Sequence, residues 1–196
     1  MSVCTGLVMA GGKGKRLGLG EKALVKVGGK RMIELVLSSL RSSEEVDDIY
    51  VAVSQGSKGT LDWCRKRGAK VVITSGKGYV HDLDEALSRV KLPCLVLPVD
   101  LPLIRPRTIR CFVKRARRTK ADIVTLAVPA EEYLTYGSER SLEPIREGEL
   151  LIQPTGIGYF RSRSGEWEVF VEGMRPEFVN VNTLEELIFA NAVLSL

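Results

Sequence analysis

The sequence is poor in the residues that most often carry nucleophilic or metal chemistry. Its 196 residues include one histidine, His81, and four cysteines. A Ser-His-Asp or Cys-His mechanism would have a single candidate base, which argues against nucleophilic hydrolysis. No two cysteines form a C-x-x-C pair, which argues against a zinc site. Cys4 and Cys94 lie in apolar runs, and we expect them to be buried as small hydrophobic residues.

Long apolar segments are also missing. No run approaches the roughly 20 apolar residues that a membrane-spanning helix requires. The first apolar run, 3–10, is short and leads straight into a glycine-rich loop, without the basic-then-apolar pattern of a secretory leader. We therefore expect no membrane span and a cytoplasmic location. The length and the 44 % hydrophobic content suit one globular domain spanning 1–196.

An acidic balance is absent too, because 29 basic residues face 24 acidic ones and give a net charge of +5. Such a surplus suits nucleic acid or small anionic substrates. The aromatic and glycine pattern of an RNA-recognition module is not present. We interpret Arg115, Arg117, Arg118 and Lys120 as a solvated helix face and expect no nucleic-acid partner, although the charge keeps that function as an alternative to test.

Apolar runs alternate with helical periodicity along the chain. Expected strands lie at 3–10, 49–53, 71–73, 94–99, 123–128 and 178–182, with extended pieces at 23–27 and 153–160. Expected helices lie at 32–40, 57–67, 82–90, 108–118 and 183–194, with caps at Ser57 or Thr60, capping boxes at Asp82–Glu85 and Thr183–Glu186, and Pro106 as an opening residue. We expect 129–150 to be an irregular excursion. The alternation predicts an α/β fold, a three-layer Rossmann-like architecture with a mostly parallel sheet and helices on both faces.

One stretch combines backbone freedom with positive charge. Residues 11–16 read Gly-Gly-Lys-Gly-Lys-Arg directly after the first predicted strand, and Lys22 follows. Glycines let N–H groups approach an anion closely, and cations at the rim favour its binding. Ligands of such sheets bind beyond the carboxyl ends of the strands, so we expect this loop, 75–82, Asp100 and 180–182 to meet at one cleft. The sequence therefore predicts a phosphate-binding site, against the alternative of a glycine-rich turn with solvated lysines.

Two common phosphate motifs do not fit. A Walker A loop requires Ser or Thr after its Gly-Lys pair, but Arg16 follows Lys15 and Gly78 follows Lys77. The dinucleotide fingerprint requires a third glycine where this chain has Leu17.

The pattern that does fit is Leu-x-Met-Ala-Gly-Gly-x-Gly-x-Arg-Leu at 7–17, followed by a lysine. It resembles the opening of the MobA-like nucleotidyltransferases of glycosyltransferase-A-like fold, which join a nucleoside triphosphate to a phosphate and release pyrophosphate. The resemblance implies the nucleotide-diphospho-sugar transferase fold, with the triphosphate neutralised by Arg16 and Lys22. It also implies Mg²⁺ at Asp100 and, as in several relatives, at Asn182 before the last helix. On the residues alone, either side chain could instead only shape its turn.

A second stretch, Thr-Ser-Gly-Lys-Gly-Tyr-Val-His-Asp-Leu at 74–83, resembles the archaeal GTP:adenosylcobinamide-phosphate guanylyltransferases of cobalamin assembly. This resemblance implies GTP and adenosylcobinamide phosphate as substrates and Arg16, Lys22 and Asp100 as catalytic residues. The implied GTP contacts are Met9, Ala10, Gly11, Gly12, Lys13, Gly14, Lys15, Arg16, Lys22, Ser75, Gly76, Lys77, Gly78 and Tyr79. A molybdopterin or sugar-phosphate acceptor and a non-catalytic GTP-binding homologue remain alternatives. The oligomeric state is not fixed, and a homodimer is one option.

Overall fold

A computed structural model describes residues 4–12, 14, 16–135 and 144–195. The main sheet contains strands β1 (Cys4–Met9), β4 (Val46–Ser54), β5 (Lys70–Thr74), β6 (Cys94–Pro98), β7 (Ile123–Pro129), β8 (Ile145–Glu147), β9 (Leu150–Phe160) and β10 (Trp167–Val171). A separate hairpin consists of β2 (Lys26–Val27) and β3 (Lys30–Arg31). The helices are α1 (Met32–Ser42), α2 (Lys58–Lys66), α3 (Tyr79–Leu87), α4 (Pro106–Ala116), α5 (Ala130–Thr135) and α6 (Leu184–Leu194), with 3-10 turns at Lys22–Leu24 and Pro176–Phe178.

The sheet is mostly parallel, as predicted. Its strand order is β10-β7-β9-β6-β1-β4-β5, with β8 on the side of β9. Strand β1 lies parallel to β4 and to β6, while β9 runs antiparallel to β6, β7 and β8. The carboxyl ends of β1, β4, β5 and β6 therefore meet at one edge of the sheet. Parallel strands buried on both faces read as continuous apolar runs, which is why 4–9 is apolar throughout.

Helices cover both faces of the sheet, which confirms the predicted three-layer α/β class. Successive side chains of β1 alternate between the two layers. Val8 packs in a core with Val36 of α1 and Val113 of α4. Leu7 and Met9 point to the opposite layer and pack with Leu87 of α3.

Several predicted elements differ from those observed. Residues 179–182 have no regular structure, so the strand predicted at 178–182 is wrong. Helix α3 begins at Tyr79, so the capping box predicted for Asp82 and Glu85 is wrong. The box of Thr183 and Glu186 at the start of α6 is confirmed in both directions.

Other differences concern irregular segments. Strand β10 was not predicted, and Lys22–Leu24 forms a 3-10 turn where an extended piece was expected. The expectation of an irregular excursion at 129–150 is wrong for α5 and β8, and residues 136–143 lie outside the described residues.

The basic helix α4 is paired with acidic groups. Arg117 Nη1 lies 2.6 Å from Glu45 Oε2, and their side chains are 23 % and 8 % exposed. Arg115 pairs with Glu172 at 3.5 Å and its guanidinium stacks on the Phe170 ring. The expectation of a solvated face is therefore wrong for Arg117, because Glu45 and burial hold its side chain against the protein.

All four cysteines are free thiols. Cys4, Cys64 and Cys94 are buried, and burial was predicted for Cys4 and Cys94, while Cys111 is exposed. Burial raises the pKa of the Cys64 thiol to about 11.

Within the part of the chain that the structure describes, every helix is too short or too polar to traverse a lipid bilayer.

Two glycines, Gly156 and Gly148, allow a matched test of the packing between β9 and Pro98 of β6. Gly156 of β9 has a φ of +84°, and a Cβ there would lie 3.0 Å from Pro98 Cγ; Gly148 has a φ of +59° and open space around it. Both Ala variants incur the cost of a left-handed residue, about 1 kcal/mol or more. We expect Gly156→Ala to lower the free energy of unfolding in urea by more than Gly148→Ala does, because only the former also presses on Pro98. Equal losses would contradict this.

Candidate active site

The glycine loop after β1 folds back on its own start. Gly14 has a φ of +59°, and a Cβ at this position would lie 2.2 Å from the carbonyl oxygen of Gly20, so only glycine fits. The N–H of Lys22 donates to the carbonyl oxygen of Gly12 at 3.2 Å. The backbone of Lys22 therefore lies next to the first residues of the loop, close to the end of β1.

Ser54, at the carboxyl end of β4, is a cleft residue that the sequence patterns did not predict. Its Oγ donates to the carbonyl oxygen of Gly11 at 2.9 Å and lies 3.0 Å from Ser57 Oγ. A Cβ on Gly11 would lie 3.1 Å from Ser54 Cβ, and one on Gly76 would lie 3.3 Å from it. Ser54 therefore packs against both glycine loops. It directly follows a predicted strand, so the rule that ligands bind beyond strand ends could have identified it.

Three distant parts of the chain meet at the ammonium of Lys22. Lys22 Nζ donates to Asp100 Oδ2 at 2.7 Å and to Asn182 Oδ1 at 2.5 Å. Arg16 Nη2 donates to the same Asn182 oxygen at 3.1 Å. The Lys22 and Asp100 side chains are each 14 % exposed, so solvent screens this ion pair less than it screens a surface pair. The structure thus brings together the predicted catalytic and metal residues.

The oxygens around Lys22 Nζ form a set that fits a hard cation. Asp100 supplies one carboxylate oxygen and Asn182 one amide oxygen, and both already face a positive charge. Mg²⁺ is typically bound by one or two protein carboxylates together with substrate phosphates and water. Among the described residues there is no group of three or more His, Cys, Asp or Glu side chains that could hold a metal, so the residues match a shared Mg²⁺–phosphate site and not an all-protein cage.

The second glycine loop, 75–79, is held by two carboxylates of α3. The N–H of Gly76 donates to Asp82 Oδ1 at 2.8 Å, and the N–H of Ser75 donates to Glu85 Oε2 at 2.7 Å. Hydrogen bonds from Ser75 lower the pKa of Glu85. These two acids, predicted as a capping box, instead fix the loop that precedes the helix. His81 is exposed in the first turn of α3.

The two glycine loops enclose one cleft of about 420 Å³ at the sheet edge. The predicted cleft residues that line it are Met9, Gly11, Gly12, Lys22, Gly76, Gly78, Tyr79, Asp82 and Asp100, joined by the unpredicted Ser54, Pro98 and Val99. Ala10, Gly14, Arg16, Ser75, Lys77 and Asn182 are not among the lining residues, although Arg16 and Asn182 adjoin Lys22. Lys13 and Lys15 lie outside the described residues. The structure confirms that the two glycine loops and Asp100 share one cleft, whereas 180–182 lie beside it and do not line it. The contacts of these residues with a nucleotide stay a prediction.

Glu21 anchors the end of the glycine loop on helix α2. Its carboxylate accepts hydrogen bonds from the N–H groups of Gly59 and Thr60, at 2.8 and 2.6 Å, and from the Thr60 hydroxyl. It therefore satisfies backbone donors in the first turn of α2, where the helix dipole also favours a negative charge. Because Glu21 directly precedes Lys22, this anchor fixes the backbone that carries the central ammonium.

Known proteins resemble this chain over nearly its whole length. The adenosylcobinamide-phosphate guanylyltransferase of Methanocaldococcus jannaschii is 29 % identical over 96 % of this chain and 96 % of that protein. A probable molybdenum cofactor guanylyltransferase of Thermococcus kodakarensis is 29 % identical over 93 % of this chain and 91 % of that protein. The first of these matches the resemblance identified in the sequence.

Solved structures share the fold at lower identity. A CMP:2-keto-3-deoxy-manno-octonic acid synthetase structure with CTP superposes with a TM-score of 0.72 at 16 % identity, covering 100 % of this chain and 99 % of that one. The 4-diphosphocytidyl-2C-methyl-D-erythritol synthase of Anaerococcus prevotii gives a TM-score of 0.68 at 15 % identity, with the same coverage.

Relatives and fold together define the class of enzyme, a nucleotidyltransferase. More specifically, residues 6–165 match the model of the MobA-like NTP transferase domain, and the chain belongs to that family.

The anchor at Glu21 predicts a pH-dependent contribution to stability. Burial raises the pKa of Glu21, but hydrogen bonds from Thr60 and Gly59 outweigh it, and the pKa lies below its ordinary value of 4.5. The contribution is therefore fully present above pH 4.5 and is lost as the pH falls through the lower, folded-state pKa. We expect Glu21→Gln to lower the free energy of unfolding by about 0.5–2 kcal/mol at neutral pH, and the difference from wild type to shrink as the pH falls below 4.5.

Urea denaturation of wild type and Glu21→Gln, at neutral pH and at a pH below 4.5, measures this difference in the free energy of unfolding. Glu185→Gln is the matched control, because Glu185 is an exposed carboxylate in the first turn of α6. A pH-independent loss for Glu21→Gln, or an equal loss for Glu185→Gln, would contradict the assignment.

Proposed function

We propose that this enzyme transfers GMP from GTP to adenosylcobinamide phosphate, producing adenosylcobinamide-GDP and pyrophosphate. The observation that carries the proposal is the meeting of Lys22, Asp100 and Asn182 beside the glycine loop, at the rim of a cleft that a second glycine loop closes. The choice of substrates is supported by the Methanocaldococcus relative, which carries that name and aligns over 96 % of the chain.

The reaction joins two anions. A phosphate oxygen of the acceptor attacks the α-phosphorus of GTP and forms a new P–O bond. The bond from the α-phosphorus to the oxygen that bridges to the β-phosphorus breaks, and that oxygen leaves with the electron pair in pyrophosphate. A phosphate monoester with a second pKa near about 6 is mostly dianionic at neutral pH, so no general base is needed. This agrees with a chain whose single histidine is exposed outside the cleft lining.

Positioning and charge neutralisation are then the main catalytic demands. The N–H groups of Gly11 and Gly12 lie at the loop where the triphosphate would bind, with Arg16 and Lys22 as its cations. Mg²⁺, held by Asp100 and Asn182, would supply further neutralisation of phosphate charge. For the ammonium of Lys22 to meet a phosphate, it has to leave at least part of its present contact with the two oxygens.

The second glycine loop is suited to recognise the base. Asp82 and Glu85 accept two of its N–H groups and fix its backbone, and Tyr79 lies at the cleft with 38 % of its surface exposed. A preformed polar edge rejects a mismatched base strongly, since unpaired buried polar groups are costly. We propose that 75–79 contacts guanine.

A molybdenum cofactor acceptor is the second candidate, because two Thermococcus relatives of nearly full coverage carry that name. A non-catalytic GTP-binding protein predicts nucleotide binding without turnover, but the retention of Arg16, Lys22 and Asp100 around one point favours an enzyme.

The activity is tested by pyrophosphate release from GTP with Mg²⁺ and a panel of acceptors: adenosylcobinamide phosphate, molybdopterin and a sugar phosphate. We expect release with the first acceptor, and a larger thermal shift with GTP than with ATP, CTP or UTP. Lys22→Ala and Asp100→Ala each remove a charged contact, and we expect each to lower the rate about 10- to 100-fold. Lys26→Ala, at an exposed lysine of β2, is the control. No pyrophosphate with any acceptor, or release only with another one, would contradict the proposal.

The position of Lys22 also predicts how the nucleotide-free protein binds a divalent cation. Its ammonium lies between the two oxygens proposed to bind the metal, so it competes with a divalent cation there. We expect nucleotide-free Lys22→Met to bind Mn²⁺ about 5-fold more tightly than wild type, equivalent to about 1 kcal/mol for a competing ion pair. Electron paramagnetic resonance of free Mn²⁺ measures this, with Lys26→Met as the control for net charge. Unchanged affinity in Lys22→Met would show that the ammonium does not compete.

A further inference from the structure

Asn180 contacts Asp100 and Asn182, the two residues whose oxygens accept hydrogen bonds from Lys22. It is 4 % exposed, and its Nδ2 donates to Asp100 Oδ1 at 2.8 Å. Its backbone carbonyl oxygen accepts a hydrogen bond from Asn182 Nδ2 at 3.2 Å. One buried residue thus contacts the side chains of both proposed metal ligands.

These two hydrogen bonds decide which atoms remain for a cation. Asp100 uses Oδ1 for Asn180, and its Oδ2 faces Lys22. Asn182 uses its amide nitrogen for the Asn180 carbonyl, and its Oδ1 faces Lys22. A primary amide has one donor end and one acceptor end, so holding the nitrogen orients the oxygen. Asn180 therefore makes both free oxygens converge on a single point.

Tyr133 completes this arrangement from helix α5. An ionised carboxylate only accepts hydrogen bonds, so Asn180 must turn its Nδ2 toward Asp100 and its Oδ1 away. The hydroxyl of Tyr133, a fully buried residue, lies 3.2 Å from that oxygen and donates to it. Without the hydroxyl, Asn180 would lose this partner at a buried position, where an unsatisfied acceptor is costly.

We propose that Tyr133 and Asn180 are positioning residues, which hold Asp100 and Asn182 so that their free oxygens receive the cation of the nucleotide complex. The inference rests on the proposed function, since it concerns the metal used with GTP. Neither residue is among those that line the cleft. Tyr133 acts through the side chain of Asn180, and that side chain acts on Asp100. Asn182 is held by the backbone carbonyl of Asn180, which side-chain variants of Asn180 retain.

The test measures Mn²⁺ affinity of the GTP-bound protein in four forms: wild type, Tyr133→Phe, Asn180→Ala and the double variant. Groups behind metal ligands commonly change metal affinity by about 10-fold or more, and we expect a loss of this size for Asn180→Ala. We expect a smaller loss for Tyr133→Phe, and a double variant no weaker than Asn180→Ala alone, because the hydroxyl reaches the metal ligands through Asn180. GTP affinity without metal should change less than about two-fold, since neither side chain lines the cleft.

Tyr159→Phe is the matched control. Tyr159 is also buried, and it is not among the residues that line the cleft. A merely structural role would lower the melting temperature of a variant and leave the Mn²⁺ affinity of the folded protein unchanged. If Asn180→Ala does not fold, Asn180→Ser takes its place.

The outcomes separate this inference from the proposed function. Wild-type Mn²⁺ affinity in Tyr133→Phe and Asn180→Ala, or losses that add in the double variant, would overturn the inference even where GMP transfer is normal. The inference is also overturned if the GTP-bound wild-type protein does not bind Mn²⁺. Absence of GMP transfer by wild-type protein would overturn the proposed function and not the role of Tyr133 and Asn180 in metal binding.

Discussion

The contact of one ammonium with two oxygens organises the functional end of this protein. Lys22 follows the glycine loop after β1, Asp100 lies two residues beyond the end of the neighbouring strand β6, and Asn182 belongs to the segment before α6. These residues are separated by 78 and 160 positions from Lys22. An ion pair that is only 14 % exposed on each side requires both partners to be held in place, because an unpaired charge at such a depth is costly. The rest of the site can be understood as what holds these three side chains.

Lys22, Asp100 and Asn182 are each held in place by a different backbone contact. The backbone at Lys22 is held by the Gly12 carbonyl and by the anchor of Glu21 on α2. Asp100 is tied through its own carbonyl to the N–H of Val181, at 2.8 Å. The N–H of Asn182 donates to the carboxylate of Glu186, which also caps α6. Packed strands and helix ends therefore set the positions of the charges, and electrostatics need not do so alone.

The sequence allowed the alternating fold and the glycine loop to be predicted, because these depend on local patterns. The roles of Lys22 and Asp100 were implied by the family resemblance and stay predictions, although the structure does bring the two side chains together. Continuous apolar runs identify β1 and β6, and a capping box identifies the start of α6. Asp82 and Glu85 show the limit of the same reasoning. Their spacing fits a capping box, but in the fold both carboxylates reach donors of the preceding loop, and only tertiary structure reveals that choice. Residues 179–182 are apolar at alternate positions like a strand. Their backbone N–H groups nevertheless donate to Pro176, Asp100 and the Glu186 side chain, and not to a neighbouring strand.

The serine at the end of β4 limits which sequences this cleft can have. Hypothetical side-chain atoms at positions 11 and 76 both fall within 3.3 Å of the same carbon of Ser54. A larger residue at 54 would push both loops outward, and a larger residue in either loop would push on 54. Substitution at any one of these three positions therefore requires accommodation at the others, so this corner of the protein is expected to vary among relatives as a unit or not at all.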